Sequence, residues 1–457
     1  MDLIERIADY VLETDPDDIP SDDLKIAKTF LLDSIGVGFA GSTAMGVSSI
    51  VKQLSEWGGK KEARLIAFPN KLPAPWAAYA NALMIHARDF DDVHDVAGIH
   101  ANAPVLGALL AVSELSGREV SGKDFLSAQI IGVDLAVRLA ISVPHRKSGW
   151  HASSVFGIMG AVAAGGRILE LTKEELINAF GIAYSQMSGN RQCMLDNALT
   201  KRMQPAFAAQ NAVISLFYAK KGIQGAKNII EGKYGLGSTY FNQALDKECF
   251  LQELGRYFEI RRLAIKPYPC CRGCHAAIDA ALELRKQEEW IGKKLESIRV
   301  LTSMRTKVQI GGPINPHGMT HVGAQFSIPY TVATAWLKGK VGLDDFIGPA
   351  LNDQQILELS GKVEVDVDPD LPNPMMGIPQ TIQFKAVDGQ KSVMVVSHRT
   401  GCPEKPLSDQ GIMAKFENCL KFSREHISDE RASGILNSIM NIECSSDFNK
   451  DIHVIYG

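Results

Sequence analysis

Residues 74–115 read APWAAYANALMIHARDFDDVHDVAGIHANAPVLGALLAVSEL. The two ends of this stretch, 74–85 and 105–115, are apolar and unbroken, which is typical of helices packed against other helices. Between them, residues 86–104 are rich in aspartate and histidine, and Gly98 indicates a turn. A charged turn between two buried helices costs free energy unless its charges are paired or used. The pattern therefore predicts a helical core with a candidate site at this turn.

Four aspartates, Asp89, Asp91, Asp92 and Asp95, lie among three histidines, His86, His94 and His100, and make this turn the first candidate site. The alternative is that the aspartates form local caps and the histidines lie half-exposed, because structural ion pairs also perturb titratable groups. A hard-cation site is a third possibility, but the segment DFDD lacks the spaced acids and the final glutamate of a calcium loop. The expectation is a site without a metal.

The chain up to residue 265 reads as one helix after another. Residues 125–143 and 155–171 are apolar almost all round and are predicted to be central helices. Thr172 and Glu175 fit a capping box for the next helix. Pro205 is predicted to open a further helix, residues 206–221, which ends at Gly222. Residues 1–265 are therefore predicted to form a large all-helical domain, completed by residues 400–457.

The pattern changes to alternating strands after residue 265. Four predicted strands cover 297–303, 362–367, 381–386 and 391–397, with a hairpin turn at Asp388-Gly389. Helical stretches at 276–290 and 325–338 interrupt them. Residues 266–399 are therefore predicted to form a smaller α+β domain, which makes the fold class mainly α.

Composition limits the class of protein. The formal net charge is only −4, which argues against nucleic acid and against a charged membrane surface as partners. The first residues lack a basic head followed by an apolar run, and no apolar segment is long enough to span a bilayer. The expected location is the cytoplasm, where the eight cysteines remain reduced.

Further polar residues lie in apolar or small surroundings. His151 precedes a buried helix, whose dipole favours a neutral imidazole and bound anions. Lys201 and Arg202 lie near a predicted helix start, where cations are unfavourable unless they bind an anionic ligand. Lys266 and Tyr330 are candidates in the smaller domain. The competing interpretations are an exposed linker lysine and a core aromatic residue.

Two short motifs suggest cofactors. Residues 271–275, CRGCH, match the spacing of c-type haem attachment, but only in three letters and without an export signal, and no second Cys/His pair completes a zinc site. Residues 232–237 are glycine-rich but lack the context of a nucleotide loop. The cysteines are expected to pack at a helix start, and no cofactor is expected.

Several motifs resemble those of the MmgE/PrpD family, which includes 2-methylcitrate dehydratase, cis-aconitate decarboxylase and iminodisuccinate epimerase. They occur in family order along essentially the whole chain: HARDFDD with IHANAP, GWHASSVFG, LTKRMQPAFAA, IKPYPCCRGCHAAIDA, AQFSIPY and GCPEKPLS. The resemblance implies a large helical domain, a smaller α+β lid, a homodimer, and a cofactor-independent site between domains. The positions that match the family's site are Asp89, His100, His151, Lys201, Lys266 and Tyr330.

The chemistry implied by the resemblance takes place at a carbon next to a carboxylate. Lys201, Arg202 and Arg272 are expected to bind the carboxylates of a small di- or tricarboxylate, while the other matched residues act on protons. The leading hypothesis is a lyase that dehydrates a 2-methylcitrate-like acid. The alternatives are epimerisation, decarboxylation of cis-aconitate, and a non-catalytic carboxylate-binding protein. Val93 replaces a threonine of the decarboxylase pattern, and the loss of this hydroxyl donor argues against cis-aconitate as the substrate.

Overall fold

The computed structural model of the protein describes residues 2–145, 148–371 and 379–456. The described residues divide into two compact units, residues 1–191, 200–263 and 408–457 in the first and residues 192–199 and 264–407 in the second. The segment 192–199, which the sequence pattern assigned to the helical domain, packs with the second unit instead. The chain is mainly α-helical, and this part of the prediction is confirmed.

The first unit consists of helices around an apolar core. Its helices in the described residues are Leu3–Glu13, Ser21–Gly41, Val47–Trp57, Ala74–His86, Asn102–Ser113, Gly122–Ile141, Ala152–Val155, Gly157–Ile168, Lys173–Tyr184, Thr200–Lys220, Leu236–Phe241, Lys247–Leu251, Asp409–Lys421, Asp429–Met440 and Phe448–Asp451. The two helices that flank the charged turn, Ala74–His86 and Asn102–Ser113, have almost no exposed residues. Their small residues permit close packing: a Cβ added at Gly107 would lie 2.6 Å from the Cβ of Ala82.

Helix Thr200–Lys220 begins earlier than predicted. Pro205 lies inside this helix and does not open it, so the prediction for this proline was wrong. A proline at this position removes only the backbone hydrogen bond to the carbonyl of Lys201, and the buried helix tolerates the loss because tertiary packing outweighs local preference. As a consequence, Lys201 and Arg202 lie in the first turn of the helix. The predicted capping box at Thr172 and Glu175 is present.

The short hairpin formed by strands Ala63–Leu65 and Phe68–Leu72 was not predicted. It lies in the first unit, in a stretch that shows no clear alternation. Its two strands have three and five residues, which is too short for a two-residue period to stand out.

The second unit contains a four-stranded sheet. Its strands, in spatial order, are Val363–Val367, Leu295–Thr302, Gln380–Ala386 and Lys391–Val396; the first pair is parallel and the others are antiparallel. The helices of this unit in the described residues are Gln192–Leu195, His275–Leu284, Met304–Ile310, His321–Gln325, Ile328–Lys338 and Gln354–Ser360. Strand Gln380–Ala386 alternates strictly between buried and half-buried residues, so one face of the sheet packs on the core of the unit. All four predicted strands and the turn at Gly389 are observed.

Every helix in the described ranges is too short or too polar to cross a bilayer.

Candidate active site

The charged turn begins where helix Ala74–His86 ends. Asp89 adopts a left-handed backbone conformation, with φ of +50°, which aspartate tolerates better than most residues. Its N–H donates to the carbonyl of His86 at 3.2 Å. The chain thereby folds back, and Asp91 meets the ring of His86 inside the protein.

Asp91 joins two imidazole rings. One of its carboxylate oxygens lies 2.7 Å from Nδ1 of His86, and the other lies 3.4 Å from Nδ1 of His100. The two rings contact edge to face, with centroids 4.8 Å apart. Burial alone would raise the pKa of Asp91, but the two histidines outweigh it and hold this pKa well below its ordinary value. Asp91 is therefore an anion that orients both rings.

Asp92, unlike Asp91, binds the backbone and not a histidine ring. Its carboxylate accepts the backbone N–H of Ala101 at 3.1 Å and that of Asn102 at 3.3 Å, and so holds the start of helix Asn102–Ser113. Burial, and then the charge of Asp91, raise the pKa of Asp92 to about 8. Asp92 therefore fixes the backbone of the two residues that follow His100.

Lys201 brings a positive charge to the turn from a distant part of the sequence. Its Nζ lies 2.8 Å from Nε2 of His86 and also donates to the carboxylate of Asp89. Since Lys201 is a donor, Nε2 of His86 accepts, and the proton of this ring is on Nδ1, facing Asp91. Burial lowers the pKa of His86 to about 4; Asp91 acts against this shift and Lys201 reinforces it. His86 is therefore neutral at pH 7.

His151 occupies the residue before helix Ala152–Val155, as predicted. Its ring is buried and lies 6.2 Å from the ring of His86. Its Nδ1 has no hydrogen-bond partner among the residues that the structure describes. Burial, followed by the charge of Lys201, lowers the pKa of His151 well below its ordinary value. A neutral imidazole with an available ring nitrogen is suited to accept or donate a proton.

The first unit thus brings together four of the residues predicted from the sequence: Asp89, His100, His151 and Lys201. The prediction did not include His86 and Asp91, although both belong to the stretch that was singled out. The available signal was an acid directly after Asp89-Phe90 and a histidine at the end of an apolar helix. The roles of these residues in a reaction stay predictions.

Arg202 lies on the same helical turn as Lys201 but points elsewhere. It is buried, and its Nη1 lies 3.4 Å from the carbonyl of Met45. Burial lowers the pKa of Arg202 to about 10, with an opposing contribution from Asp89. Its charge therefore acts on Asp89, while its hydrogen bond goes to the backbone.

The other predicted residues belong to the second unit. Lys266 is completely buried there. Arg272 donates to the carbonyl of Thr400 at 2.8 Å and lies 3.1 Å from Nδ1 of His275. The hydroxyl of Tyr330 lies 2.6 Å from the carbonyl oxygen of Asp345 and is fully buried, so its proton serves a contact within this unit. Proton donation by Tyr330 to a substrate remains a prediction.

His86, Asp91 and His100 could also hold a metal ion, because one ligand atom from each lies within 4.8 Å of the others. Against this stands the ammonium of Lys201, which already places a positive charge 2.8 Å from His86 and repels a divalent cation. The geometry fits a proton-transfer cluster better than a metal centre.

Known proteins match the chain along most of its length. The MmgE/PrpD N-terminal domain matches residues 5–248, and the MmgE/PrpD C-terminal domain matches residues 268–440. A cis-aconitate decarboxylase-like protein of Aspergillus oryzae is 28% identical over 99% of this chain and 97% of its own length. The cis-aconitate decarboxylase of Homo sapiens is 27% identical over 92% and 88%, and that of Mus musculus 26% identical over 86% and 81%.

Proposed function

Because the chain belongs to the MmgE/PrpD family, we propose that it is a lyase that acts on a small di- or tricarboxylate at a carbon next to a carboxylate. The observation that carries this proposal is a cluster of six titratable side chains in the first unit, which come from three separate chain segments; five of them are buried and His100 is half-buried. These residues are His86, Asp89, Asp91, His100, His151 and Lys201. Burying so many titratable groups is costly without a use for them.

The cluster contains candidates for the base, the cation and the acid that such a reaction needs. His151 is kept neutral by its surroundings and can remove a proton from carbon. Lys201 places a fixed positive charge where negative charge develops on the adjacent carboxylate. His100, whose Nδ1 lies 3.4 Å from a carboxylate oxygen of Asp91, is the candidate to protonate the leaving hydroxyl. The reaction proposed first is therefore dehydration of a citrate-type hydroxy acid.

Decarboxylation is the second candidate, and the relatives favour it, since those compared above are a decarboxylase-like protein and two cis-aconitate decarboxylases. In that reaction the carboxylate leaves as carbon dioxide, and the remaining carbanion takes up a proton. The same cation serves both reactions, but decarboxylation needs a proton donor in place of a base, and His100 is the candidate for it. Val93 lies buried in the short strand Val93–His94 and has no hydroxyl to offer a substrate. At this position the chain differs from the decarboxylase pattern, which has a threonine.

The test is a substrate panel with product analysis. Purified protein is incubated with citrate-type hydroxy acids and, separately, with cis-aconitate. An increase in ultraviolet absorbance from a new carbon–carbon double bond supports dehydration, whereas release of carbon dioxide with formation of itaconate supports decarboxylation. Solvent deuterium uptake without loss of water or carbon dioxide indicates an epimerase. Binding without any turnover indicates a carboxylate-binding protein, and that result refutes the proposal.

Matched variants connect the activity to the cluster. His151→Ala is expected to abolish turnover while leaving the circular dichroism spectrum unchanged. The control is His426→Ala, which removes an exposed histidine of the same unit. Lys266→Ala and Tyr330→Phe test the predicted residues of the second unit in the same assay. Equal activity of His151→Ala and His426→Ala contradicts the role of the cluster.

A further inference from the structure

A tight turn in the second unit carries three side chains that bind metals well. His398, Cys402 and Glu404 follow strand Lys391–Val396, and one ligand atom from each lies within 4.8 Å of the others. Nδ1 of His398 is 3.9 Å from a carboxylate oxygen of Glu404, and the thiol of Cys402 donates a hydrogen bond to the same carboxylate. Glu404 thus lies between the imidazole and the sulfur.

The backbone of this turn is fixed by its own hydrogen bonds. The N–H of Cys402 donates to the carbonyl of Arg399 at 3.1 Å, and the N–H of Lys405 donates to the carbonyl of Cys402 at 3.0 Å. A third bond, from the N–H of Gly401 to the carbonyl of Lys405, has a length of 2.8 Å. Two successive turns therefore hold the side chains at positions 398, 402 and 404 close together, which reduces the entropy that metal binding would cost.

Gly401 holds the turn against the rest of its unit. Its φ is +90°, and a Cβ added there would lie 1.8 Å from the carbonyl oxygen of Ile265, so no other residue fits. The N–H of Ile265 donates to the carbonyl of Gly401 at 3.0 Å, and the N–H of Thr400 donates to Asp279 at 2.8 Å. These contacts anchor the turn on both sides and make its ligand positions reproducible.

The ligand set decides which ion suits the turn. A thiolate with an imidazole and a carboxylate suits zinc, whereas magnesium and calcium prefer oxygen ligands only. Bond lengths of about 2.3 Å to sulfur and about 2.1 Å to nitrogen and oxygen require the ligand atoms to approach to roughly 3.5 Å in a tetrahedral site. Cys402 is buried and fixed, while the side chains of His398 and Glu404 are 58% and 59% exposed and are able to move this distance.

We propose that His398, Cys402 and Glu404 form a binding site for a zinc ion on the second unit, with the fourth position left to water. On binding, the thiol of Cys402 loses its proton to the solvent and the resulting thiolate coordinates the ion. The ion links three positions of a turn whose carbonyl at Thr400 accepts a hydrogen bond from Arg272. Zinc is therefore expected to stabilise the backbone that positions Arg272.

Cobalt substitution tests this proposal, because Co²⁺ bound to a thiolate gives a charge-transfer absorption in the near ultraviolet. The full-length protein, without a polyhistidine tag and in reducing buffer, is titrated with Co²⁺ and then with Zn²⁺. We expect one equivalent of cobalt to produce the absorption and zinc to displace it. His398→Ala and Glu404→Gln, at exposed positions that do not endanger folding, are each expected to weaken zinc binding on the order of a hundredfold, since the ligands share the binding free energy.

Cysteine variants decide which sulfur is involved. Cys402→Ser removes the absorption if the proposal is correct, and Cys444→Ser, which changes an exposed cysteine of the first unit, leaves it intact. Zinc is also expected to raise the thermal unfolding temperature of the wild type but not that of His398→Ala. Absence of the absorption from the wild type overturns the proposal, and so does its persistence in Cys402→Ser or its loss in Cys444→Ser. None of these readouts depends on the reaction that the protein catalyses.

Discussion

The buried, neutral state of His86 makes the stability of the protein depend on pH in a way that one substitution can isolate. The ordinary pKa of 6.5 is lowered to about 4 in the folded protein, mainly by burial. Between these two values the unfolded chain binds a proton at this residue and the folded chain does not. The sign follows directly: acidification through this range favours the unfolded state, so His86 lowers the free energy of unfolding as the pH falls from 6.5 towards 4.

The magnitude follows from the same pKa values. The range from 6.5 to about 4 covers 2.5 pH units, and each unit corresponds to about 1.4 kcal/mol, so the effect of this residue amounts to about 3 kcal/mol. His86→Gln removes the group that takes up a proton when the chain unfolds in this pH range. It also removes the acceptor of Lys201, and this loss lowers stability at every pH. The slope of stability against pH, and not its absolute level, therefore reports on the histidine.

The assay is equilibrium urea denaturation followed by circular dichroism, at several values between about pH 4.5 and about pH 7. Near the middle of this range, the slope for His86→Gln is expected to be smaller than that of the wild type by about 1.4 kcal/mol per pH unit, which is one proton. His426→Gln, at an exposed position, is the matched control and keeps the wild-type slope. An unchanged slope in His86→Gln refutes the conclusion that this ring is neutral because it is buried.

Three more substitutions test other parts of the structure. Asp91→Asn removes the charge from the hydrogen bond to His86. The turnover number kcat, measured by steady-state kinetics, is expected to fall about ten- to a hundredfold. A kcat at the wild-type value contradicts the role of the Asp91 charge. Lys415→Met breaks a buried ion pair with Asp33 and is expected to cost about 3–5 kcal/mol in urea denaturation, whereas Lys52→Met, at an exposed pair, costs less than about 1 kcal/mol. Gly41→Ala places a methyl group 1.9 Å from the carbonyl oxygen of Met84 and is expected to lower the thermal unfolding temperature. Gly434→Ala, in a helix with open space around this position, is expected to raise the unfolding temperature slightly. A similar shift in both variants contradicts a destabilising contact at Gly41.

The sequence predicted those parts of the fold that depend on local pattern. The hairpin at Asp388-Gly389 follows from alternating residues around a strong turn signal, and the capping box at Thr172 follows from spacing alone. The start of helix Thr200–Lys220 could not be found in this way. Local preference places a proline at a helix start, but here the packing of the whole helix against Ala74–His86 determines where the helix begins.

The site was predictable as a set of residues but not as a network. Motif resemblance identified Asp89 and Lys201, and it did not indicate that they bind each other across 112 positions of sequence. No local signal indicated that Lys415 contacts the charged turn either. Its Nζ donates to the carbonyl of Phe90 at 2.8 Å, from 325 positions further along the chain. Contacts of this kind depend on how helices pack, and the spacing of residues indicates which face of a helix is buried but not which distant segment it meets.

Burial resolves a conflict in the chemistry proposed for this cluster. Removal of a proton from carbon needs an unprotonated base, while the negative charge that follows needs a cation nearby. Water would screen the cation and leave a histidine partly protonated at neutral pH. Inside the first unit, burial and the charge of Lys201 both lower the pKa of His151, and the same ammonium remains close enough to stabilise an anion. The ammonium that adds to the effect of burial on the base is thus also the group that the reaction needs next, so loss of Lys201 is expected to harm both steps.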